Sequence, residues 1–347
     1  MKVELLTPGR ETAYEAFLKE GNNTLFYHSN GFRRFLKRLI PVEDHYLLAI
    51  ENEKVTGALP AFLCNGKIGT CLNSLTFFGS NGGVIEFKGD RRIRQSLVDE
   101  FLKLGRSKGC LSATIINSPF NKEGGLEYNH NCLDRRIGQV TDIQELSEKE
   151  KMKGMDYFGA FTRRMIRKAE KHAVEVRIEN SKKAFEFLKE THYQNMEAID
   201  GKKKQASFFE LVKDHFQPGK DYNLWMAYKE ARPVAALLLF YFNRTVEYYI
   251  PAIVKKYRSI QPLSLLIYEA MFDAAKRGYY YWNWGGTRPD QEGVYRFKKQ
   301  WNAIDVPYHY YIKVYDNRVY HYSEALIKKE FPYSYLLPFN QLNTHQY

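Results

Sequence analysis

An aromatic run, Tyr279-Tyr280-Tyr281-Trp282-Asn283-Trp284, opens into Gly285-Gly286-Thr287-Arg288 and is followed by Gly293-Val294-Tyr295-Arg296-Phe297-Lys298-Lys299. The run reads as a strand with polar Asn283 among the rings, and a Gly-Gly pair at its end lets backbone approach a ligand closely. Charged side chains then arrive on a short turn. Such a group can do chemistry by positioning and electrostatics, in a cleft lined by strand ends. Asn283, Gly285, Gly286 and Arg296 are candidate substrate contacts, and Tyr249 and Arg258 join them from other strand or loop ends. Glu247, on an apolar strand, is a candidate base or else the partner of a cation. Plainer roles stand beside these: Gly-Gly as an ordinary turn, Arg296 in a structural ion pair, and Tyr279, Tyr280 and Tyr281 as packing.

Other chemistries lack their residues. The sequence has no Gly-x-Ser-x-Gly elbow, no Gly-x-x-x-x-Gly-Lys-Ser/Thr loop, no Gly-x-Gly-x-x-Gly and no His-Glu-x-x-His. Its nine histidines are scattered, with His172, His192 and His215 in separate basic or aromatic contexts. Cys64, Cys71, Cys110 and Cys132 show no Cys-x-x-Cys spacing, so reduced thiols are expected rather than structural zinc or disulfides, and no metal is expected.

The strongest cationic feature is Phe161-Thr162-Arg163-Arg164-Met165-Ile166-Arg167-Lys168-Ala169-Glu170-Lys171-His172. Read as a helix, it places Arg164, Arg167, Lys168 and Lys171 at i, i+3, i+4 and i+7 on one face, with Met165, Ile166 and Ala169 as a narrow apolar stripe. That face is either a solvated surface or a landing strip for phosphates, which Lys202-Lys203-Lys204 would extend. Overall, 52 Lys+Arg against 40 Asp+Glu leave a charge of +12 on 347 residues, which suits nucleic acid, an anionic membrane face or a phosphorylated substrate without choosing among them. The longest apolar stretch, residues 235–242, is far short of a membrane span, and no secretory signal is visible at the start. A cytoplasmic protein is the expectation.

The elements that must hold these residues occur twice in the same order. A hairpin (Tyr46-Leu47-Leu48-Ala49-Ile50, a polar turn from Glu51 to Lys54, then a return through Leu63) precedes a helix over 91–107, Gly109 and a strand over 111–116. In the second half, Leu224-Trp225-Met226-Ala227-Tyr228 turns at Lys229-Glu230-Ala231-Arg232 and returns through Phe242. A strand over 245–250, a helix over 262–277, Gly278 and the aromatic strand follow. Ala227 stands where Ala49 stood. A duplicated mixed α/β unit is the reading, with domains over 1–153 and 154–347. Before the first helix lies a glycine-rich segment, Phe77-Phe78-Gly79-Ser80-Asn81-Gly82-Gly83.

The Gly-Gly loop followed by Gly-x-Tyr-Arg-Phe-Lys resembles the C-terminal motif of Fem-type (FemABX-like) peptidyltransferases and of related acetyltransferase-like proteins of polysaccharide gene clusters. The basic segment 163–172 is similar to the stretch leading into their second unit. The resemblance implies two tandem GNAT-like acyltransferase units of mixed α/β fold, and direct transfer of an acyl or aminoacyl group to an amine of a nucleotide-linked sugar or cell-envelope precursor. It implies Lys298 as the cation that stabilises an oxyanion or phosphate. No cofactor is expected to be tightly bound. The donor would be aminoacyl-tRNA, acyl carrier protein or acetyl-CoA.

Coenzyme-A-dependent GNAT units hold pyrophosphate on an Arg/Gln-x-x-Gly-x-Gly/Ala loop at a helix N-terminus. Here that place reads Arg258-Ser259-Ile260-Gln261-Pro262-Leu263, without the glycines, and Gly89-Asp90-Arg91-Arg92-Ile93-Arg94 in the first unit lacks them too. This favours a carrier-borne donor, leaving Arg258 and Gln261 as substrate contacts. The cationic helix would meet phosphate or tRNA, acyl carrier protein and a membrane surface are further candidate partners, and DNA is not expected. The chain departs from the family at Gln300-Trp301-Asn302-Ala303, where a Phe-Gly pair is common. The competing class is a non-catalytic RNA-binding protein using the basic helix and exposed aromatics.

Overall fold

The polar turns after Ile50 and Tyr228 both close as two-residue hairpins. In the computed structural model, which describes residues 1–22, 24–77, 81–120, 128–287 and 291–342, Asn52 and Glu53 have φ of 48° and 61°, and Glu230 and Ala231 have 50° and 60°. Two consecutive left-handed residues match the twist of the flanking strands. Each hairpin also bulges at the same place. The register slips between Ala49 and Ile50 in the first and between Ala227 and Tyr228 in the second, leaving Thr56 and Val234 as the extra residues.

Along the chain the first elements are β1 (Lys2–Leu5), α1 (Glu11–Glu20), α2 (Asn30–Leu39), β2 (Val42–Asp44), β3 (Leu47–Glu51), β4 (Lys54–Leu59), β5 (Phe62–Gly66), β6 (Gly69–Asn73), α3 (Arg91–Ser107), β7 (Ser112–Ile116) and β8 (Cys132–Asp142). Then come α4 (Lys151–Gly154), α5 (Ala160–Lys171), β9 (Glu175–Ile178), α6 (Lys182–Glu197), α7 (Ala206–His215), β10 (Tyr222–Lys229), β11 (Arg232–Phe242), β12 (Thr245–Ile253), α8 (Pro262–Lys276), β13 (Tyr281–Thr287), α9 (Glu292–Lys299), β14 (Ile304–Val314) and α10 (Glu324–Glu330). The return strand of the first hairpin is split, since β4 stops before Pro60, which has no N–H for a ladder. Phe78, Gly79 and Ser80 of the glycine-rich segment, and Arg288, lie outside the described residues.

The compact units are Met1–Ile137 with Val306–Tyr347, and Gly138–Asp305. This division differs from the expected 1–153 and 154–347. Residues 306–347 group with the first unit because Tyr310–Val314 pairs antiparallel with Ser112–Ile116 of β7. Residues 138–153 group with the second, where β8 neighbours β13.

In the second unit the strand order is β8-β13-β12-β11-β10-β9. Val234 to Tyr241 of β11 are all buried, as befits a central strand covered on both faces. Against the sheet packs α8, which begins with Pro262 at its first position and ends before Gly278 at φ 84°. It buries Leu265, Leu266, Ile267, Tyr268, Ala270, Met271, Ala274 and Ala275 in a core with Trp282, Trp284 and Trp301. The first unit has its own core of Leu47, Leu59, Leu72, Leu97, Phe101 and Ile115 between its strands and α3. All four cysteines are buried thiols. No helix among the described residues is long and apolar enough to cross a membrane.

The parallel pair of the first unit, β6 and β7, ends at Asn73↔Thr114. There the chain's last segment seals the fold. Asn73 Nδ2 donates to the Tyr335 carbonyl (2.8 Å) while Tyr335 N donates back to Asn73 Oδ1 (2.7 Å), and Thr114 Oγ1 donates to the same carbonyl at 3.1 Å. Ser112 Oγ donates to Leu336 O at 3.0 Å, and Leu336 and Leu337 are buried. Asn73→Ala strands the Tyr335 N–H without its acceptor, so chemical denaturation should show a loss of about 2–3 kcal/mol. A loss within a few tenths would mean that the strap is not held there.

Candidate active site

The second unit has the matching parallel pair, and here side chains meet the strand ends. Strands β12 and β13 pair at Thr245↔Tyr281, Val246↔Trp282 and Glu247↔Asn283, and the pairing stops there although β12 runs on to Ile253 and β13 to Thr287. Just beyond, β12 carries an extra residue. Leu239 pairs with Tyr248 and Leu238 with Ile250, so Tyr249 is bulged out of the ladder.

Side chains take over where the ladder ends. Asn283 Nδ2 donates to Glu247 Oε2 at 2.8 Å, and Gly285 N donates to Asn283 Oδ1 at 2.9 Å. Glu247 and Asn283 are both 1% exposed, so each depends on such partners. Consecutive carbonyls of an extended strand point to opposite sides, but Gly285 has φ 71°, and the carbonyls of Gly285 and Gly286 both turn to Lys298 Nζ at 3.2 and 3.1 Å. A Cβ on Gly285 would meet no atom within 4 Å among the described residues, so there is space beside that residue.

The third proton of Lys298 goes to Thr287 Oγ1 at 2.7 Å, which donates onward to Gln139 Oε1 at 3.1 Å. Gln139 Nε2 in turn reaches the Tyr295 carbonyl of α9 at 3.3 Å, closing the ring of contacts. Burial lowers the Lys298 amine to about 8. At neutral pH it therefore remains an ammonium with three acceptors, and it organises the Gly-Gly loop from beneath. The segment expected as a short turn is the helix α9, which carries Lys298 inward while Arg296 stays on the outer face, paired with Glu292 at 2.5 Å.

Glu247, Asn283, Gly285, Gly286 and Lys298 thus form one connected group. Tyr249 is half-buried next to it. Its ring stacks on Phe208 (5.7 Å between centroids) and meets Phe240 edge-on (4.9 Å), while burial and the Glu247 charge push its hydroxyl ionisation up. Arg258 is exposed on the turn before α8, and its carbonyl accepts from Gln261 N at 3.2 Å. Gln261 takes φ 60° as the residue capping α8, the left-handed backbone a glycine would adopt more easily. Arg164, Arg167, Lys168 and Lys171 are exposed along α5 as the spacing predicts, and none joins an ion pair found among the described residues. Ile166 and Ala169 are buried beneath them, together with Thr162.

Three residues escaped the sequence. Gln139 and Thr287 meet only through the fold. Lys204 was grouped with Lys202 and Lys203 as a surface run, yet Lys202 and Lys203 are exposed and Lys204 is buried. Among the described residues no cluster of three His, Cys, Asp or Glu side chains could hold a metal ion.

Residues 160–299 match the acetyltransferase (GNAT) domain family. That likeness makes the chain an acyltransferase. The match spans α5 through α9, and so contains every member of the connected group. In fold, the chain is similar to the crystal structure of FemX, with a TM-score of 0.70 at 13% identity over 92% of this chain and 99% of that one. It is similar to a tandem GNAT protein from the clavulanic acid biosynthesis pathway (TM-score 0.53, 11% identity, 90% of this chain and 98% of that one). A third is the C-terminal domain of a putative lysylphosphatidylglycerol synthetase from Agrobacterium fabrum (0.56, 12%, 88% and 91%). Two GNAT-like units in tandem are therefore the architecture. No curated protein matches the chain in sequence.

The buried lysine makes the GNAT domain's stability depend on pH. Its ionisation near 8 in the fold returns to the ordinary lysine range of about 10.4 on unfolding, so between these values the unfolded chain binds the extra proton and stability rises with pH. Lys298→Met lacks that proton. The stability of the unaltered chain relative to this variant, from urea melts, should increase between pH 8 and 10, and a constant difference would contradict the buried ammonium.

Proposed function

We propose that the chain is an N-acyl or aminoacyl transferase, passing its group directly to an amine on a nucleotide-linked sugar or cell-envelope precursor. The connected group of Glu247, Asn283, Gly285 and Lys298 where β12 and β13 part, inside a GNAT domain, carries this reading. Direct transfer needs a neutral attacking amine and stabilisation of the tetrahedral oxyanion. In trans peptides the N–H lies opposite the carbonyl, so holding the Gly285 and Gly286 carbonyls on Lys298 turns the next N–H groups, those of Gly286 and Thr287, to the other side. We assign these donors to the oxyanion, with the Lys298 charge behind them. Glu247 takes a proton from nitrogen as the C–N bond forms and returns it to the leaving atom as the acyl bond breaks, the ribose oxygen of aminoacyl-tRNA or the thiol sulfur of acyl carrier protein. The RNA-binding alternative explains the exposed α5 face but has no use for this group.

The donor end favours a large carrier over coenzyme A. At the start of α8, Pro262 has no N–H, and the N–H groups of Gln261 and Ser264 go to the carbonyls of Arg258 and Gln261. A diphosphate cradle needs those donors free. Thr162 Oγ1 also ties α5 to Gln300 O at 2.6 Å, and Phe161, Thr162 and Met165 close with Gln261 and Ser264 around a cavity of about 170 Å³. Ligand pockets usually begin near ~300 Å³. Aminoacyl-tRNA or acyl carrier protein, with phosphates on Arg164, Arg167, Lys168 and Lys171, suits this end better. The same face would suit a lipid-linked precursor at a membrane surface.

The test supplies charged tRNAs, acyl carrier protein and acetyl-CoA with amino-sugar nucleotides and envelope precursors. Transfer should occur from a carrier-borne donor, and transfer by no donor at all would remove the proposal. Replacing Arg164, Arg167, Lys168 and Lys171 together by Ala should raise KM for that donor and flatten its salt dependence, leaving kcat near its original value. Glu247→Gln should lower kcat by about 10²–10⁴ with the fold retained by circular dichroism.

A further inference from the structure

Lys204 is placed for a task that neither the GNAT match nor the connected group covers. It lies in the loop between α6 and α7, where its backbone N donates to His192 Nε2 at 3.2 Å, fixing the loop to α6. The side chain then runs inward between rings. Its Nζ lies 4.7 Å from the centroid of Tyr249 and 5.6 Å from that of Phe208, and 3.4 Å from the Tyr249 hydroxyl. Tyr249 is the bulged residue two positions beyond Glu247, at the parting of β12 and β13. A lysine amine aligned with a tyrosine hydroxyl therefore stands beside the proposed reaction centre.

Among the described residues, charged and titratable groups face Lys204 from three elements. Lys202 lies on its own loop, His192 on α6, and Tyr249, with Glu247 behind it, on β12, while α7 contributes the uncharged ring of Phe208. Burial first and Lys202 second hold the Lys204 amine well below the ordinary lysine range. Burial, with Lys204 nearby, lowers His192 to about 4, so it stays neutral and accepts the loop N–H. A desolvated amine is the form in which lysine acts as a base.

We propose that Lys204 is a positioning residue acting through Tyr249, holding its hydroxyl at the parted strands and receiving through it the proton that the acceptor ammonium must lose before attack. The inference rests on the acyl-transfer function proposed above. The step balances: the ammonium gives one proton to Tyr249 Oη as Tyr249 gives its own to Lys204 Nζ. The neutral amine then attacks the acyl carbon, and its second proton travels by Glu247 to the leaving atom, oxygen for aminoacyl-tRNA or sulfur for acyl carrier protein. One proton is left on Lys204 and passes to solvent after product leaves.

The experiment compares kcat across pH for the unaltered chain, Lys204→Met and Tyr249→Phe. At neutral pH, Lys204→Met should lose about 10²–10³ in kcat with KM little changed. Its deficit should shrink about tenfold per pH unit as the pH climbs towards the acceptor amine's own ionisation, because solution then supplies the neutral amine. Methylamine should partly restore Lys204→Ala. Tyr249→Phe, which removes one oxygen and keeps the packing, should show the same pH trend. A kcat for Lys204→Met within twofold of the unaltered chain, or a deficit constant across pH without methylamine rescue, would overturn the assignment. Absence of transfer by the unaltered chain would instead overturn the function itself, and the Lys204 role with it.

Discussion

Everything at the candidate site depends on a ladder that ends too early. Two neighbouring parallel strands separate after Glu247 and Asn283 while still inside the protein, and buried polar groups cannot be left without partners. The second unit meets that requirement with side chains. Asn283 bridges Glu247 and the Gly285 N–H, and Lys298 gathers the next two carbonyls. The candidate site and the repair of the broken ladder are thus the same set of hydrogen bonds.

The first unit faces the same requirement at the same register position and meets it with backbone. Asn73 and Thr114, where Glu247 and Asn283 stand in the second unit, bond the N–H and carbonyl of Tyr335. Backbone around Tyr335 fills the place that side chains fill in the second unit. Duplication explains the shared hairpins, down to the bulges at Thr56 and Val234, and the different fillings explain why one copy carries the chemistry-bearing residues.

Local signals made the scaffold legible in the sequence. A four-residue polar turn between β-rich runs marked both hairpins, and apolar spacing closed by Gly109 and Gly278 marked α3 and α8. The Gly-Gly pair and Lys298 were legible as a motif, but not the contact between them, because a helix in place of the expected turn is what points Lys298 inward. Thr287 and Gln139 are 148 residues apart, and no spacing rule joins them. In the run Lys202-Lys203-Lys204 the residue types are identical. The one inside is held by His192, twelve residues earlier on α6. Domain limits read from order alone also assume that neighbours in sequence stay together, which residues 306–347 do not.

That last segment makes the first unit the last to be finished. As the chain leaves the ribosome, residues 138–305 can complete their unit while residues 1–137 still lack β14 and the segment that binds Asn73. At roughly 5–20 residues per second, the wait for Tyr335 is on the order of tens of seconds. Throughout it the edge of β7 is a free template for another strand. A nascent chain stalled in that interval would carry a finished second unit and an unfinished first unit prone to aggregate, so synthesis rate and chaperone supply should govern the yield of this protein more than the stability of its second unit.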